Sequence, residues 1–192
     1  MTKFFDTIAQ FTTLTKEGED ALSSILERKE VKKREVLVKE NSVCNHIYFV
    51  EKGLTRTYYF NKDAREVTDW ISPENTFACS IVSFISRKPD IRGIDALEDS
   101  TLYTLHYQEL EQLCEKHHDI ERFGRRFVSF GLLQLQKRFD HLHFATAKER
   151  YAQVMNENPS FIHRVPLGML ASYLGITQET LSRIRANQTD AF

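Results

Sequence analysis

Hydrophobic side chains follow three different periods along the chain. Over residues 1 to about 30 they recur every three or four positions, which predicts helices that each have one apolar face. Over residues 31 to about 107, short apolar-polar alternations are separated by polar turns, which is typical of an antiparallel β-sandwich or of a jelly-roll-like β-roll. From residue 107 the period is again about 3.6, which predicts a short helix over Tyr107–His117 and a long helix over Ile120–Phe144. The pattern therefore predicts an α+β fold.

Two turns are predicted within the β-roll. A polar stretch that ends at Gly53 separates the apolar run His46–Val50 from the Thr- and Tyr-rich run Leu54–Phe60. We expect these two strands to pair as a hairpin, with Gly53 supplying the unusual backbone angles of the turn. A second turn at 61–63 leads to a strand over Glu66–Ile71.

The long helix carries two apolar stripes. One runs from Ile120 to Phe130, and the other has the spacing of a heptad seam between helices. A helix at the surface of a monomer needs only one such stripe, so two stripes indicate two partners, the β-roll and a second copy of the chain. Burial of the helix in one core is the alternative. The predicted dimer stripe comprises Val128, Leu132, Leu135, Phe139 and Leu142.

A new helical unit begins after the long helix, at the capping box Thr146-Ala147-Lys148-Glu149. Residues 166–185 then have the pattern of a helix-turn-helix. Gly175 is typical of a helix end in the left-handed conformation, and Thr177 of a cap on the next helix. Ala171 is small at the point where two steeply crossing helices must nearly touch.

The second helix of this motif presents side-chain types that recognise bases. Arg pairs with guanine, Gln pairs with adenine, and Glu accepts a hydrogen bond from cytosine. The Arg, Gln and Glu residues of this second helix occupy its N-terminal half and its solvent face, where a recognition helix meets base edges. A helical hairpin with a polar face is the alternative, but it does not account for the concentration of base-recognising types. The residues predicted to contact DNA are Thr177, Gln178, Glu179, Ser182, Arg183 and Arg185.

Charge changes this interpretation little. The formal net charge of -1 argues against an indiscriminate polybasic binder of nucleic acid or membrane. Residues 121–150 contain seven Lys or Arg and three acidic residues. Lys148, Arg150 and Arg185 are candidates to contact phosphate, although much of this basic run could instead be the solvated face of the long helix.

Composition excludes several other classes of protein. No apolar run is long enough to cross a membrane, and the N-terminus lacks the apolar core of a signal peptide, so we expect a cytoplasmic protein. The three cysteines, Cys44, Cys79 and Cys114, lack the paired spacing of zinc or redox sites, and we expect buried, reduced thiols. No spacing typical of a catalytic centre is present. We therefore expect no enzyme, and neither a metal nor another cofactor.

The order of β-roll, long helix and helix-turn-helix resembles the CRP/FNR family of transcription regulators. The most specific segment is I-T-Q-E-T-L-S-R-I at 176–184, which resembles the family's recognition helix, S-R-E-T-V-G-R-I. The resemblance implies that Glu179 and Arg183 contact bases, and that the operator differs because Gln178 stands where the cyclic-AMP receptor has another base-contacting Arg. Two β-roll segments are also similar to the family, Y-F-V-E-K-G at 48–53 and D-A-L-E-D at 95–99.

The resemblance also implies how the chain is divided. We predict a sensor domain over residues 1–118, a dimerisation helix over 119–145 and a helix-turn-helix domain over 146–192. Only seven residues follow Arg185. Two strands and a turn do not fit there, so we expect the β-wing of many family members to be absent.

The predicted effector pocket departs from the family's cyclic-nucleotide site. The family pattern has Gly-Glu to bind ribose and Arg-Ser to neutralise the cyclic phosphate, and the corresponding positions here hold Cys79-Ser80 and Asp90-Ile91. An aspartate repels a phosphate. Arg87 or Arg92 could supply the missing cation, or Arg92 could pair with Asp90. We expect that cyclic AMP does not bind, and three cysteines cannot supply the four-cysteine iron–sulfur site of the FNR branch.

Together these features predict a homodimeric, sequence-specific DNA-binding transcription regulator. Double-stranded DNA and a second copy of the chain are the expected partners, and RNA polymerase and an unidentified small-molecule effector are further candidates. No membrane partner is expected. The alternative is a ligand-binding or protein-interaction module whose helix-turn-helix no longer binds DNA. A steep dependence of DNA binding on salt concentration would separate the two.

Overall fold

The computed structural model describes residues 1–189. Helices and strands follow the predicted order, with two helices, an eight-stranded β region interrupted by one short helix, and six further helices. Their bounds are α1 Thr2–Ala9, α2 Lys16–Ile25, β1 Glu27–Val31, β2 Val36–Val38, β3 His46–Lys52, β4 Thr55–Phe60, β5 Glu66–Ser72, β6 Phe77–Ala78, α3 Ile81–Ser86, β7 Gly93–Ala96, β8 Ser100–His106, α4 Tyr107–Lys116, α5 His118–Phe144, α6 Ala147–Glu157, α7 Phe161–Arg164, α8 Leu167–Leu174 and α9 Gln178–Thr189.

Two antiparallel four-stranded sheets form the β-roll. Their strand orders are β1-β8-β3-β6 and β2-β7-β4-β5. Apolar side chains of both sheets meet between them, and Val38, Val50, Ile94 and Leu102 are buried there. The α+β fold with an antiparallel roll, a long helix and C-terminal helices is therefore confirmed.

The predicted hairpin of His46–Val50 with Leu54–Phe60 is wrong. β3 pairs with β8 and β6, whereas β4 pairs with β5 and β7, so the chain crosses from one sheet to the other at Gly53. Gly53 does adopt a left-handed φ of 102°, but this turn changes sheets. The backbone of Leu54 is then held by residues distant in sequence, since its N–H donates to Ser100 Oγ at 3.2 Å. Local turn residues identify a change of direction without specifying which strand the next one will pair with.

The second predicted turn is confirmed. β4 and β5 pair in register around it, with Phe60 opposite Glu66. The Asn61 side-chain oxygen accepts hydrogen bonds from the N–H groups of Asp63 and Arg65, both at 3.0 Å. This local closure makes β4 and β5 the hairpin of the roll, and it leaves β5 at the edge of its sheet.

The helices around the roll are fixed by a second apolar cluster. Phe4 of α1, Leu22 of α2 and Phe49 of β3 pack there with Ile120 and Phe123 of α5. The first turn of α5 is also fixed by polar contacts, since the Asp119 carboxylate accepts hydrogen bonds from the Thr15 N–H and hydroxyl. The first apolar stripe of α5 therefore packs against the β-roll over its N-terminal turns. No helix within residues 1–189 combines the length and the apolar character needed to cross a membrane.

Candidate nucleic-acid interface

The C-terminal helices begin at the predicted capping box. The Thr146 hydroxyl accepts from the Glu149 N–H at 3.3 Å, and the Glu149 carboxylate accepts from the Thr146 N–H at 2.8 Å. Arg150 donates to the carbonyl oxygens of Leu142 and Ala145, at 3.0 and 3.1 Å. Its guanidinium thus covers the C-terminus of α5, and of the two phosphate candidates here only Lys148 is exposed.

The turn between α8 and α9 has the geometry that the sequence predicts. Gly175 ends α8 in the left-handed conformation, with φ 65° and ψ 38°. The Ile176 N–H donates to the Ala171 carbonyl at 3.0 Å, a bond typical of this type of helix end. The Thr177 hydroxyl accepts from the Thr180 N–H at 3.2 Å and caps α9. Ala171 is buried together with Leu170, Leu174 and Leu181 of the two helices.

Most of the predicted DNA-contacting residues lie on one exposed surface of α9. Arg185 is half-buried and makes an interaction of its own. The Gln178 amide lies over Gly168 of α8, a contact that the sequence pattern did not indicate. We call the exposed residues the recognition face; they are Thr177, Gln178, Glu179, Ser182 and Arg183.

The helix-turn-helix also packs against the β-roll, and Gln178 lines a cleft with Glu66 and Thr68 of β5. The Ser172 hydroxyl of α8 accepts the backbone N–H of Thr68 in the edge strand β5, at 2.9 Å. Three apolar side chains of the roll, Leu54, Ile71 and Leu97, belong to the same buried cluster as the core of the C-terminal helices. The C-terminal helices and the roll therefore share one continuous core.

An arginine that the sequence analysis did not identify joins the two parts. Arg164 of α7 donates to both carboxylate oxygens of Glu74, at 2.9 and 2.7 Å, and to both of Glu98, at 3.2 and 2.7 Å. Burial alone would raise the pKa of Glu74, but hydrogen bonds from Arg164 and from the Gly53 N–H outweigh burial and leave that pKa lowered. The two acidic partners of Arg164, Glu98 and Glu74, lie 66 and 90 residues away from it in the sequence, so no local pattern could indicate them.

The predicted effector pocket is occupied by its own side chains. The Ser80 hydroxyl donates to the Asp90 carboxylate at 2.6 Å, and Ser80 is buried. Arg92 forms an ion pair with Asp69 at 2.7 Å and a longer one with Asp90 at 3.3 Å. The expected pairing of Asp90 with Arg92 is thus present, with Asp69 as the nearer partner. Burial lowers the pKa of Arg92, but these carboxylates outweigh burial, and the pKa is raised overall.

Arg87, the other candidate cation, points away from these groups. Its guanidinium donates to the carbonyl oxygens of Cys44 and Phe84, at 3.0 and 2.9 Å, and lies 3.9 Å from the centre of the Tyr107 ring. It anchors the end of α3 to the start of β3. Cys79 is also turned toward this side, and its Sγ lies 3.9 Å from Cys44 Sγ. The five predicted pocket residues therefore form two separate groups.

The cysteine environments differ from the expected three buried thiols. All three are free, but only Cys44 is fully buried, and Cys79 and Cys114 are partly accessible. Within the part of the chain that the structure describes, no three His, Cys, Asp or Glu side chains are arranged to hold a metal ion.

The predicted dimer stripe is exposed along α5. The exposed fractions of its members are 43% for Val128, 67% for Leu132, 51% for Leu135, 52% for Phe139 and 36% for Leu142. By contrast, Ile120 and Phe123 of the first stripe are buried against the roll. One chain therefore buries the N-terminal part of the first stripe, leaves Phe130 at its end 46% exposed, and leaves the second stripe uncovered.

Comparisons with known proteins agree with this architecture. The sequence model of the cyclic nucleotide-binding domain matches residues 28–117. An anaerobic regulatory protein of Haemophilus influenzae is 26% identical over 187 residues, covering 90% of this chain and 71% of that protein.

Solved structures show the same fold over nearly the full chain. The structure of FixK2 from Bradyrhizobium japonicum has a TM-score of 0.76 and 18% identity, and the match covers 87% of this chain and 86% of that one. The c-di-GMP-responsive global regulator CLP of Xanthomonas campestris has a TM-score of 0.69 and 17% identity, with 92% and 93% coverage. The matched domain and the anaerobic regulatory protein agree with the resemblance to the CRP/FNR family seen in the sequence, and the solved structures share the fold of this chain.

Proposed function

We propose that this chain is a homodimeric, sequence-specific DNA-binding transcription regulator. The exposed recognition face of α9 carries the proposal, because it leaves Gln178, Glu179 and Arg183 accessible on a helix whose inner face is fixed in the core shared with the roll. These three side-chain types form the usual contacts to adenine, cytosine and guanine in the major groove. The helix-turn-helix contacts the roll through Ser172 of α8, and Gln178 lines a cleft with Glu66 and Thr68 of β5. The side chains of Gln178, Glu179 and Arg183 stay exposed beside this contact.

The exposed dimer stripe supports a two-fold arrangement of two such helices. Leaving these large apolar side chains in water is unfavourable, and a second copy of α5 would cover them. Two glycines of α5 are consistent with close approach of a partner helix, since a Cβ built at Gly124 or Gly131 meets nothing within 4 Å in one chain. Glycine within a helix costs about 1 kcal/mol relative to alanine. A close helix–helix crossing gives these two positions a use.

Selection of bound sequences from random double-stranded DNA tests the proposal. We expect enrichment of two related half-sites whose centres are about 34 Å apart, or a multiple of that distance. Binding should weaken steeply as salt is raised, because phosphate contacts release counterions. Failure to enrich any sequence, or binding that is insensitive to salt, would instead favour an interaction module whose helix-turn-helix does not bind DNA.

Arg183→Ala tests the recognition face directly. We expect a loss of about 1–3 kcal/mol in binding to the selected site, with relaxed preference at one base pair of each half-site. Arg65→Ala removes the same charge from the exposed turn between β4 and β5 and is the matched control. Equal affinity of both variants for the selected site would show that Arg183 does not contact a base.

We propose that the roll does not bind cyclic AMP, because Arg92 is paired with Asp69 and Asp90, and Asp90 corresponds to the phosphate-binding Arg of the family pattern. Thermal unfolding should therefore show no saturable rise in Tm with cyclic AMP or cyclic GMP, since a ligand that binds only the folded state would raise it. A saturable rise would show that these ion pairs open for a nucleotide.

A further inference from the structure

Two cysteines far apart in the sequence meet at one end of the β-roll. Cys44 precedes β3 and Cys79 follows β6, and these two strands pair with Tyr48 opposite Ala78. The two Sγ atoms lie 3.9 Å apart. Cys114 lies on α4 and is a separate free thiol. The pairing of β3 with β6 thus creates a dithiol that the spacing of the cysteines did not indicate.

The surrounding contacts hold this dithiol in place. The Cys44 N–H donates to Ser83 Oγ at 2.9 Å, and the Cys44 carbonyl accepts from Arg87 at 3.0 Å. The positive charge of that guanidinium favours a thiolate nearby. Cys44 is fully buried, whereas residue Cys79 is partly accessible, so the side of Cys79 is the one from which the proposal requires an oxidant to approach.

The two thiols differ in acidity from Cys114. The hydrogen bond from Cys79 lowers the pKa of Cys44 to about 7, against the opposing effect of burial. Burial raises the pKa of Cys79, so Cys79 keeps its proton and directs it toward the Cys44 sulfur. Burial also raises the pKa of Cys114 to about 11, so this thiol stays protonated at neutral pH. The pair therefore carries one thiolate in a substantial fraction of molecules near pH 7, and that form is the reactive one.

We propose that Cys44 and Cys79 are a modification site that forms a reversible intramolecular disulfide on reaction with a hydroperoxide. A thiolate sulfur attacks the O–O bond, gains one oxygen as a sulfenic acid and releases hydroxide, or alkoxide from an organic hydroperoxide. The second thiol then attacks the sulfenic sulfur, forms the S–S bond and releases water. The two thiols lose two electrons in total, and the O–O bond accepts them. A dithiol reductant reverses the reaction by exchange.

Formation of the bond requires a defined movement. The sulfurs must approach from 3.9 Å to about 2.05 Å, the length of a disulfide bond. Cys79 is two residues from Phe77, whose ring centre lies 5.0 Å from that of Phe127 on α5. Oxidation therefore acts on a segment that contacts the long helix. The modification itself does not depend on whether α9 binds DNA.

Peptide mapping after peroxide treatment tests the proposal. The reduced, folded protein is treated with hydrogen peroxide at pH 7, and the remaining thiols are then alkylated before unfolding and digestion without reductant. We expect a peptide pair linked through Cys44 and Cys79, with a mass lower by two hydrogens, and an alkylated Cys114. Treatment with dithiothreitol before alkylation should leave all three thiols of the chain free to be alkylated.

Three variants make the result specific. Cys114→Ser should form the link as the parent does, whereas Cys44→Ser and Cys79→Ser should form no intramolecular link at the same dose. Cys44→Ser and Cys79→Ser are independent tests of the same link, so one of them still gives the result if the other fails to fold. Absence of the link in the folded parent, a link that involves Cys114, or a link that forms only in denaturant would each overturn the proposal.

Discussion

At the scale of single residues, the acidic segment Asp95-Ala96-Leu97-Glu98-Asp99 shows how one short motif serves several elements. Asp95 accepts two hydrogen bonds from Arg56, at 3.0 and 2.7 Å. Glu98 pairs with Arg164 of the C-terminal helices, and Asp99 pairs with Lys32 after β1. The segment that resembles the family in sequence thus joins β4, the C-terminal helices and the connection between β1 and β2 through three separate ion pairs.

Removal of Arg56 should be the costliest of these changes. Its side chain is only 3% exposed, and it also pairs with Glu66 at 2.6 Å. Arg56→Ala leaves the half-buried Asp95 carboxylate without its partner, and we expect a loss of about 3–5 kcal/mol in the free energy of unfolding. Denaturant titration measures this loss. Lys32→Ala breaks an exposed pair and should leave the midpoint unchanged, so equal effects of the two variants would contradict the argument.

Residues whose role is local could be predicted from the sequence. The cap at Thr177, the left-handed Gly175 and the capping box at Thr146 each depend on neighbours within one helical turn. The partners of Arg164, and the position of Arg87 away from the pocket, depend on chain segments brought together only by the fold. The same distinction explains why the dithiol was missed although both of its cysteines were considered.

At the scale of elements, α5 has one face that is buried near its N-terminus and another that is exposed. The buried face of α5 could be predicted from the periodicity of the sequence, because Ile120 and Phe123 belong to a regular apolar stripe. The predicted pairing of β3 was wrong because the local sequence pattern does not determine the partners of a strand. The buried run Ile47–Val50 of β3 fits any central strand, and only the complete sheet determines that β8 and β6 lie beside it. Helix positions were therefore more predictable than strand partners.

Phe139→Asp tests the dimer stripe. A carboxylate there would be buried without a partner between two copies of α5, so we expect the dimer to dissociate at micromolar concentrations. Leu133→Asp replaces a side chain of similar exposure, 61%, outside the stripe and should remain dimeric. Sedimentation velocity distinguishes the two outcomes. A dimer that persists in Phe139→Asp would place the interface elsewhere.

At the scale of the whole molecule, the C-terminal helices and the roll are joined by a shared core, the Ser172–Thr68 hydrogen bond and the Arg164 ion pairs. Arg138 of α5 adds a third element, since it donates to the Tyr173 carbonyl at 3.0 Å and lies over the Tyr173 ring. A displacement of α5 therefore acts directly on α8. This connection offers a route by which a change in the roll could alter the position of α9.

Arg164→Ala should loosen this junction. Loss of hydrogen bonds to two carboxylates is expected to cost about 2 kcal/mol, and amide exchange should become faster in α8 and in β5 but not in β8. His163→Ala, at an exposed neighbouring position, is the control. Unchanged exchange in α8 would show that the apolar core alone holds the two parts together.

The same junction should weaken in acid. Because the pKa of Glu74 is lowered in the folded protein, its stabilising contribution is complete above the ordinary value of 4.5 and is lost as the pH falls through the lower folded value. Protection of the α8 amides, measured relative to their intrinsic exchange rate at each pH, should therefore fall in that acidic range in the parent protein. Glu74→Gln should remove most of this pH dependence, and a parent-like profile in that variant would assign it to another group.

The position of α8 on the edge strand β5 has a consequence for solubility. An uncovered edge presents unpaired N–H and C=O groups to any other strand, and here it would adjoin the apolar side chains of Leu54, Ile71 and Leu97. A rearrangement that moved α8 away from Thr68 would therefore create a surface prone to aggregation. Large swings of the C-terminal helices are thus penalised by self-association, and small rotations about the intact contact are the movements that this architecture tolerates.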